Sequence, residues 1–115
     1  MIHVKNKDLR EELIKSKAQD KLTKECLDMF ILMAHKFSTK FKYIYVEDKE
    51  DCVSFAIMDT FRYWRGYNPE KSDNAFAYIT QIIKNGFAKG WRALGYSAMP
   101  KSKKISISQN KIYSI

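Results

Sequence analysis

Ser72–Leu94, SDNAFAYITQIIKNGFAKGWRAL, is the stretch whose reading decides the fold. Ser72, Asp73 and Asn74 are all competent helix N-caps, and the apolar residues Phe76, Ile79, Ile83, Phe87 and Leu94 recur at helical spacing. Gly86 and Gly90 interrupt that stripe, where a second helix can approach closely. The opposite stripe carries Tyr78, Gln81, Asn85, Ala88 and Arg92, with Lys84 and Lys89 beside it. Amides hydrogen-bond base edges, Lys and Arg neutralise phosphates, and an aromatic ring stacks on an unpaired base. A face kept for solubility alone has a similar composition, so the stripe by itself leaves both meanings open.

Upstream, the pattern is helical almost throughout. Asp8 with Glu11 forms a capping signal before Leu9, Leu13 and Ile14. A longer helix is expected from about Thr23 to Phe41, with Cys26, Phe30, Met33, Phe37 and Phe41 on its stripe and Leu27, Ile31 and Ala34 widening it. Lys42 to Val46 is expected as an extended connector. Glu47, Asp48, Glu50 and Asp51 crowd the start of a third helix. Carboxylates there suit a nuclease metal site, but no His accompanies them, and acids at a helix N-terminus complement its dipole. That helix is expected to run to about Arg65 with Val53, Ala56, Ile57, Thr60, Phe61 and Trp64 on one side. Gly66, Asn68 and Pro69 end it, and Tyr67–Asn74 is a turn. The fold class implied is all-α, a compact bundle of about four helices over residues 1–95, followed by a basic, flexible C-terminal tail over 96–115.

Composition narrows the function. The chain has 115 residues and a formal charge of +8, enough for one domain. All thirteen acids lie at or before Asp73, where they face fourteen cations. Seven cations and no acid follow. So one-sided a potential attracts a polyanion: nucleic acid first, an anionic membrane surface second. A solvated basic tail is the plain alternative. The longest apolar run, Met29–Ala34, is far short of a bilayer span, and the N-terminus lacks a secretory h-region. Cys26 and Cys52 are isolated thiols, and His3 and His35 lack ligand partners, so no disulfide framework or zinc site is expected. Met29, Met33 and Met58 fit the core stripes. No nucleotide-binding loop or nucleophile elbow is present. The expectation is a cytoplasmic binding protein, not an enzyme, with no cofactor and no membrane partner.

The span Asp51–Phe87, DCVSFAIMDTFRYWRGYNPEKSDNAFAYITQIIKNGF, resembles the second conserved region of bacterial sigma factors. A helix opening with an acid, an NP turn at Tyr67–Pro69, and the string Phe76–Asn85 carry the likeness. Within the family it is similar to the late-gene sigma factors of T-even-type phages, which share a string like Ala77–Gln81. The resemblance implies an all-helical domain that docks on the clamp helices of the RNA polymerase large subunit and captures the non-template strand of promoter DNA. By position, it implies polymerase contacts at Asp51, Ser54, Phe55, Ile57 and Phe61. It implies promoter contacts at Tyr78, Lys84 and Asn85, with a flipped adenine stacking on Tyr78. Ala88, Lys89 and Arg92 continue the same face. Gln81 and Ile82 stand where housekeeping factors carry a tryptophan pair that wedges the duplex, which implies an easily opened A/T-rich site or a coactivator. A coactivator or sliding-clamp contact falls to the tail, at Ile112, Tyr113 and Ile115. A helix-turn-helix regulator reading duplex DNA, and an inhibitor that competes with host sigma factor for polymerase, are the rival readings.

Overall fold

Two capping side chains set the frame. The Thr23 hydroxyl accepts from the Cys26 amide at 3.1 Å, and Asn74 Oδ1 accepts from the Ala77 amide at 2.9 Å. Each satisfies a donor that a first helical turn leaves open. The computed structural model describes residues 4–96 and contains four helices: α1 (Asn6–Gln19), α2 (Lys24–Ser38), α3 (Val46–Tyr63) and α4 (Ala75–Ala93). A 3-10 turn, Trp64–Gly66, continues α3. The architecture is all-α, and the described residues contain no strand.

The most extensive packing joins α3 to α4, and small residues make it. A Cβ placed on Gly86 would stand 2.8 Å from both Ala56 Cα and the Phe55 carbonyl oxygen, and one on Gly90 would stand 3.1 Å from Cys52 Cα. The two backbones therefore touch where a side chain would otherwise separate them. Around this seam lie Leu9, Leu13, Phe30, Met33, Val53, Trp64, Tyr67, Ile79, Ile83 and Phe87, all buried. An aromatic group closes one end. Phe41 stacks on Phe87 at 4.8 Å, Phe37 meets Phe87 edge-on at 5.2 Å, and Trp91 stacks on Tyr96 at 4.3 Å.

Helix α1 braces the turn between α3 and α4. Lys17 Nζ donates to the carbonyls of Arg65 and Tyr67, at 3.0 and 2.7 Å. Asn6 donates to the Asp73 carbonyl and accepts from the Phe76 amide. Four backbone groups that a turn would leave to water are thus tied to one helix. Within the turn, the buried Tyr67 hydroxyl donates to the Ser72 carbonyl at 2.7 Å.

Several expectations need correction. Asp8 does not cap α1: Lys5 is the cap residue, and no side chain closes that end. Phe41 lies beyond the end of α2 and packs from the connector. The buried side of α3 is Cys52, Val53, Ala56, Asp59 and Thr60. Phe61 is 57% exposed and Met58 is 58% exposed, so neither belongs to the core stripe. Large apolar residues are pushed outward because the glycines of α4 admit only small partners. Phe76 and Leu94, expected on the buried stripe of α4, are also exposed. Tyr96, assigned by its sequence to the head of the tail, is buried in the body. Its hydroxyl donates to Asp48 Oδ2 and accepts from the Ile44 amide at 2.7 Å. The proposed tail contacts Ile112, Tyr113 and Ile115 lie outside the described residues.

Candidate nucleic-acid and protein interface

The outer face of α4 follows from its period. Gln81, Asn85, Ala88 and Arg92 sit at i, i+4, i+7 and i+11, one line about 16 Å long at a rise of about 1.5 Å per residue. Gln81, Lys84, Asn85 and Arg92 are exposed, and Ala88 is half-buried between them. Gln81 Nε2 donates to Asn85 Oδ1 at 3.0 Å, which orients both amides along the helix surface. Helix α4 contains no acid. Its exposed cations therefore have no carboxylate of their own helix beside them, which favours an approaching phosphate.

Three residues assigned to this face also make contacts within the fold. Ile82 is half-buried against the core. Lys89 reaches across to α3, where its Nζ lies 2.7 Å from Asp59 Oδ2. Asp59 is only 4% exposed, and the nearby Arg62 guanidinium, at 3.9 Å, is its second cation. A carboxylate so deeply placed requires a paired charge, which commits Lys89 to the fold. Tyr78 is half-buried, with its ring 5.6 Å from that of Tyr67 and its hydroxyl donating to the Tyr63 carbonyl at 3.4 Å. Gly66 lies directly under that hydroxyl; a Cβ there would collide with it. Packing accounts for an aromatic at position 78, which its place on the polar stripe had left unexplained.

The structure also brings in two residues that the sequence reading missed. Arg62 and Tyr63, at the end of α3, border the flank of α4 that carries Tyr78 and Lys89. Tyr63 is 48% exposed. The Arg62 guanidinium and the Lys89 ammonium each lie 5.9 Å from its centroid. The missed signal was a spacing of about one turn between Asp59 and Arg62–Tyr63, which becomes informative only when Lys89 closes the group from another helix.

The outer face of α3 has a different character. Glu47, Glu50, Asp51 and Ser54 are exposed toward its start, followed by exposed Phe55, Met58 and Phe61. Ile57 is half-buried on the edge of this strip and packs against the core. Of the five assigned polymerase contacts, Asp51, Ser54, Phe55 and Phe61 are open to a partner, and Met58 joins them from outside that set. Phe55, Met58 and Phe61 thus place three exposed large apolar side chains within two helical turns, at successive i, i+3 spacing.

The remaining chemistry is inert. Burial pushes the Cys26 and Cys52 thiols up to about 11, so neither is a nucleophile at neutral pH. Among the described residues no group of three His, Cys, Asp or Glu side chains stands close enough to hold a metal ion. No described helix is long and apolar enough to cross a membrane. No protein-family model, curated protein or solved structure matches the chain.

Proposed function

We propose that this chain is a minimal sigma-like transcription initiation factor, of the kind that serves phage late genes. Its α3 face docks on core RNA polymerase, at the clamp helices of the large subunit. Its α4 face meets the non-template strand of a short, A/T-rich promoter element. One observation carries the reading. Two helices pressed together at Gly86 and Gly90 expose two surfaces of unlike chemistry, an acid-bordered apolar strip on α3 and an acid-free cationic and amide face on α4. The apolar strip suits a protein partner, since desolvated apolar anchors dominate protein interfaces. The cationic face suits a phosphate backbone, and the amides suit base edges. Held in one unit, they place a nucleic acid beside whatever protein α3 binds. The basic tail adds reach toward a coactivator or sliding clamp.

The test is run-off transcription with core polymerase on a template bearing an A/T-rich late-type promoter, together with a pull-down of core enzyme. Promoter-dependent initiation is expected only when both are present. Tight duplex binding without polymerase would favour the helix-turn-helix regulator, and suppression of a host sigma factor without initiation would favour the inhibitor.

A further inference from the structure

Resting on the reading of the α4 side as a single-strand-binding face, we infer that Tyr63, rather than Tyr78, is the residue on which an unpaired base stacks. Tyr78 has little ring face to offer. It is half-buried, its ring leans on Tyr67, and its hydroxyl is held over Gly66 by the Tyr63 carbonyl. Tyr63 differs on every count. Nearly half of its surface is open, at the last position of α3. Two cations flank its ring at 5.9 Å, one from each of the two packed helices.

That distance matters. It lies at the outer edge of cation–π range, so neither cation is in tight contact with the ring. Both cations also remain within one nucleotide of the ring, where the phosphates flanking a stacked base must lie. Their placement is fixed from below by the buried Asp59 carboxylate, which holds Lys89 at 2.7 Å and Arg62 at 3.9 Å. One buried negative charge balances one of the two cations, leaving a local positive excess around an exposed aromatic. An aromatic platform between cations is the arrangement by which proteins hold single strands without reading sequence. Duplex DNA presents no free base face to such a platform, so the ligand is an unpaired nucleotide within a strand. Asn85 and Arg92 lie farther along α4 on the same side of the helix, where the strand can continue over amide and guanidinium.

The test uses the full chain and a labelled single strand of about 12 nucleotides, all dT, beside a strand of the same length that is abasic throughout. Fluorescence anisotropy at low salt reads the affinity. The parent is expected to favour the base-bearing strand about tenfold. Tyr63→Ala should remove that preference while leaving abasic binding near the parent's, since the cations remain. Tyr63→Trp and Tyr63→Phe should keep it, and Tyr78→Phe should not alter it. A scaffold role for Tyr63 predicts equal losses on both strands. Equal losses, retained discrimination in Tyr63→Ala, or a parent that binds both strands alike would each overturn the inference. Pull-down of core polymerase separates this from the wider reading. If polymerase-dependent initiation holds while discrimination does not depend on Tyr63, the stacking assignment falls alone. If Tyr63 discriminates but polymerase is never bound, the sigma-like reading falls and the platform stands.

Discussion

Replacing Gly86 by alanine tests the seam that joins α3 to α4. Its effect on α4 alone is favourable, since alanine is the better helix former by about 1 kcal/mol. The packing effect opposes this. The new Cβ would lie 2.8 Å from Ala56 Cα and the Phe55 carbonyl oxygen, and 3.0 Å from Asp59 Cβ, whereas carbon contacts settle near about 3.5–4.0 Å. Two of those neighbours are backbone atoms of α3, which cannot rotate aside, so the helices must part by roughly 1 Å. Overpacking of this kind costs about 1–3 kcal/mol, and the backbone identity of the obstacles puts Gly86→Ala at the upper end. The net loss is about 2 kcal/mol, or roughly 8–16 °C in melting temperature for a domain of this size. Gly90→Ala supplies the comparison. Its nearest obstacle is Phe55 Cδ2 at 2.9 Å, on a partly exposed ring that can turn away, and its nearest backbone atom, Cys52 Cα, stands at 3.1 Å, a smaller overlap than at Gly86; the net change there is within about 1 kcal/mol. Thermal melts followed by circular dichroism measure both. A Gly86→Ala protein that melts at or above the parent, or no lower than Gly90→Ala, would refute backbone contact as the reason for glycine.

Other perturbations address the faces. Met58→Asp changes a mostly exposed side chain, so folding stability should move by no more than about 0.5 kcal/mol. Pull-down of core polymerase should nonetheless fall tenfold or more, because a charge enters a desolvated patch. Unchanged capture would move the docking surface off α3. Lys89→Met should destabilise by about 1–3 kcal/mol in urea titrations by leaving Asp59 short of its nearer cation, and Lys84→Met, on the exposed face, by less than about 0.5 kcal/mol. Equal effects would mean that Lys89 is not structural. Stability should also fall on the alkaline side. Burial raises the folded-state thiols of Cys26 and Cys52 to about 11, and the hydroxyls of Tyr43 and Tyr96 are raised as well. The unfolded chain therefore loses these protons first. Stability is fully present below the ordinary thiol range of about 8.5 and lost toward pH 11, at roughly 1–3 kcal/mol per pH unit. A flat urea midpoint from pH 8 to about pH 10.5 would contradict the burial of both thiols.

Local signals carried most of the fold. Thr23 and Asn74 announce their helices because a cap is satisfied within three residues, and Gly86 and Gly90 announce a close approach because nothing else excuses glycine inside a helix. The inward face of α3 was harder to recognise. The sequence reading turns Val53, Ala56, Thr60 and Trp64 inward, as the structure does, but adds Ile57 and Phe61 to them and passes over Cys52 and Asp59. The reason lies on another helix, in the glycines opposite. The candidate site was legible in the same measure. Gln81, Lys84, Asn85 and Arg92 follow from helical period alone. The contacts of Lys89 and Tyr78 within the fold were not legible because their partners, Asp59, Tyr63 and Tyr67, belong to another helix or the turn, and no periodicity within α4 encodes them. Arg62 and Tyr63 acquire meaning only through that same pairing.

Tyr96 has a mechanical consequence. It is stacked on Trp91 and tied by its hydroxyl to Asp48 and the Ile44 amide, so it fastens the exit from α4 to the connector and first turn of α3. A load applied to the chain beyond it therefore meets two anchors at once, the covalent exit from α4 and the phenol ring tied to the connector and the first turn of α3. Unravelling α4 from its C-terminal end must first break the bonds of that one hydroxyl, so the end of the last helix is as firm as the start of the third.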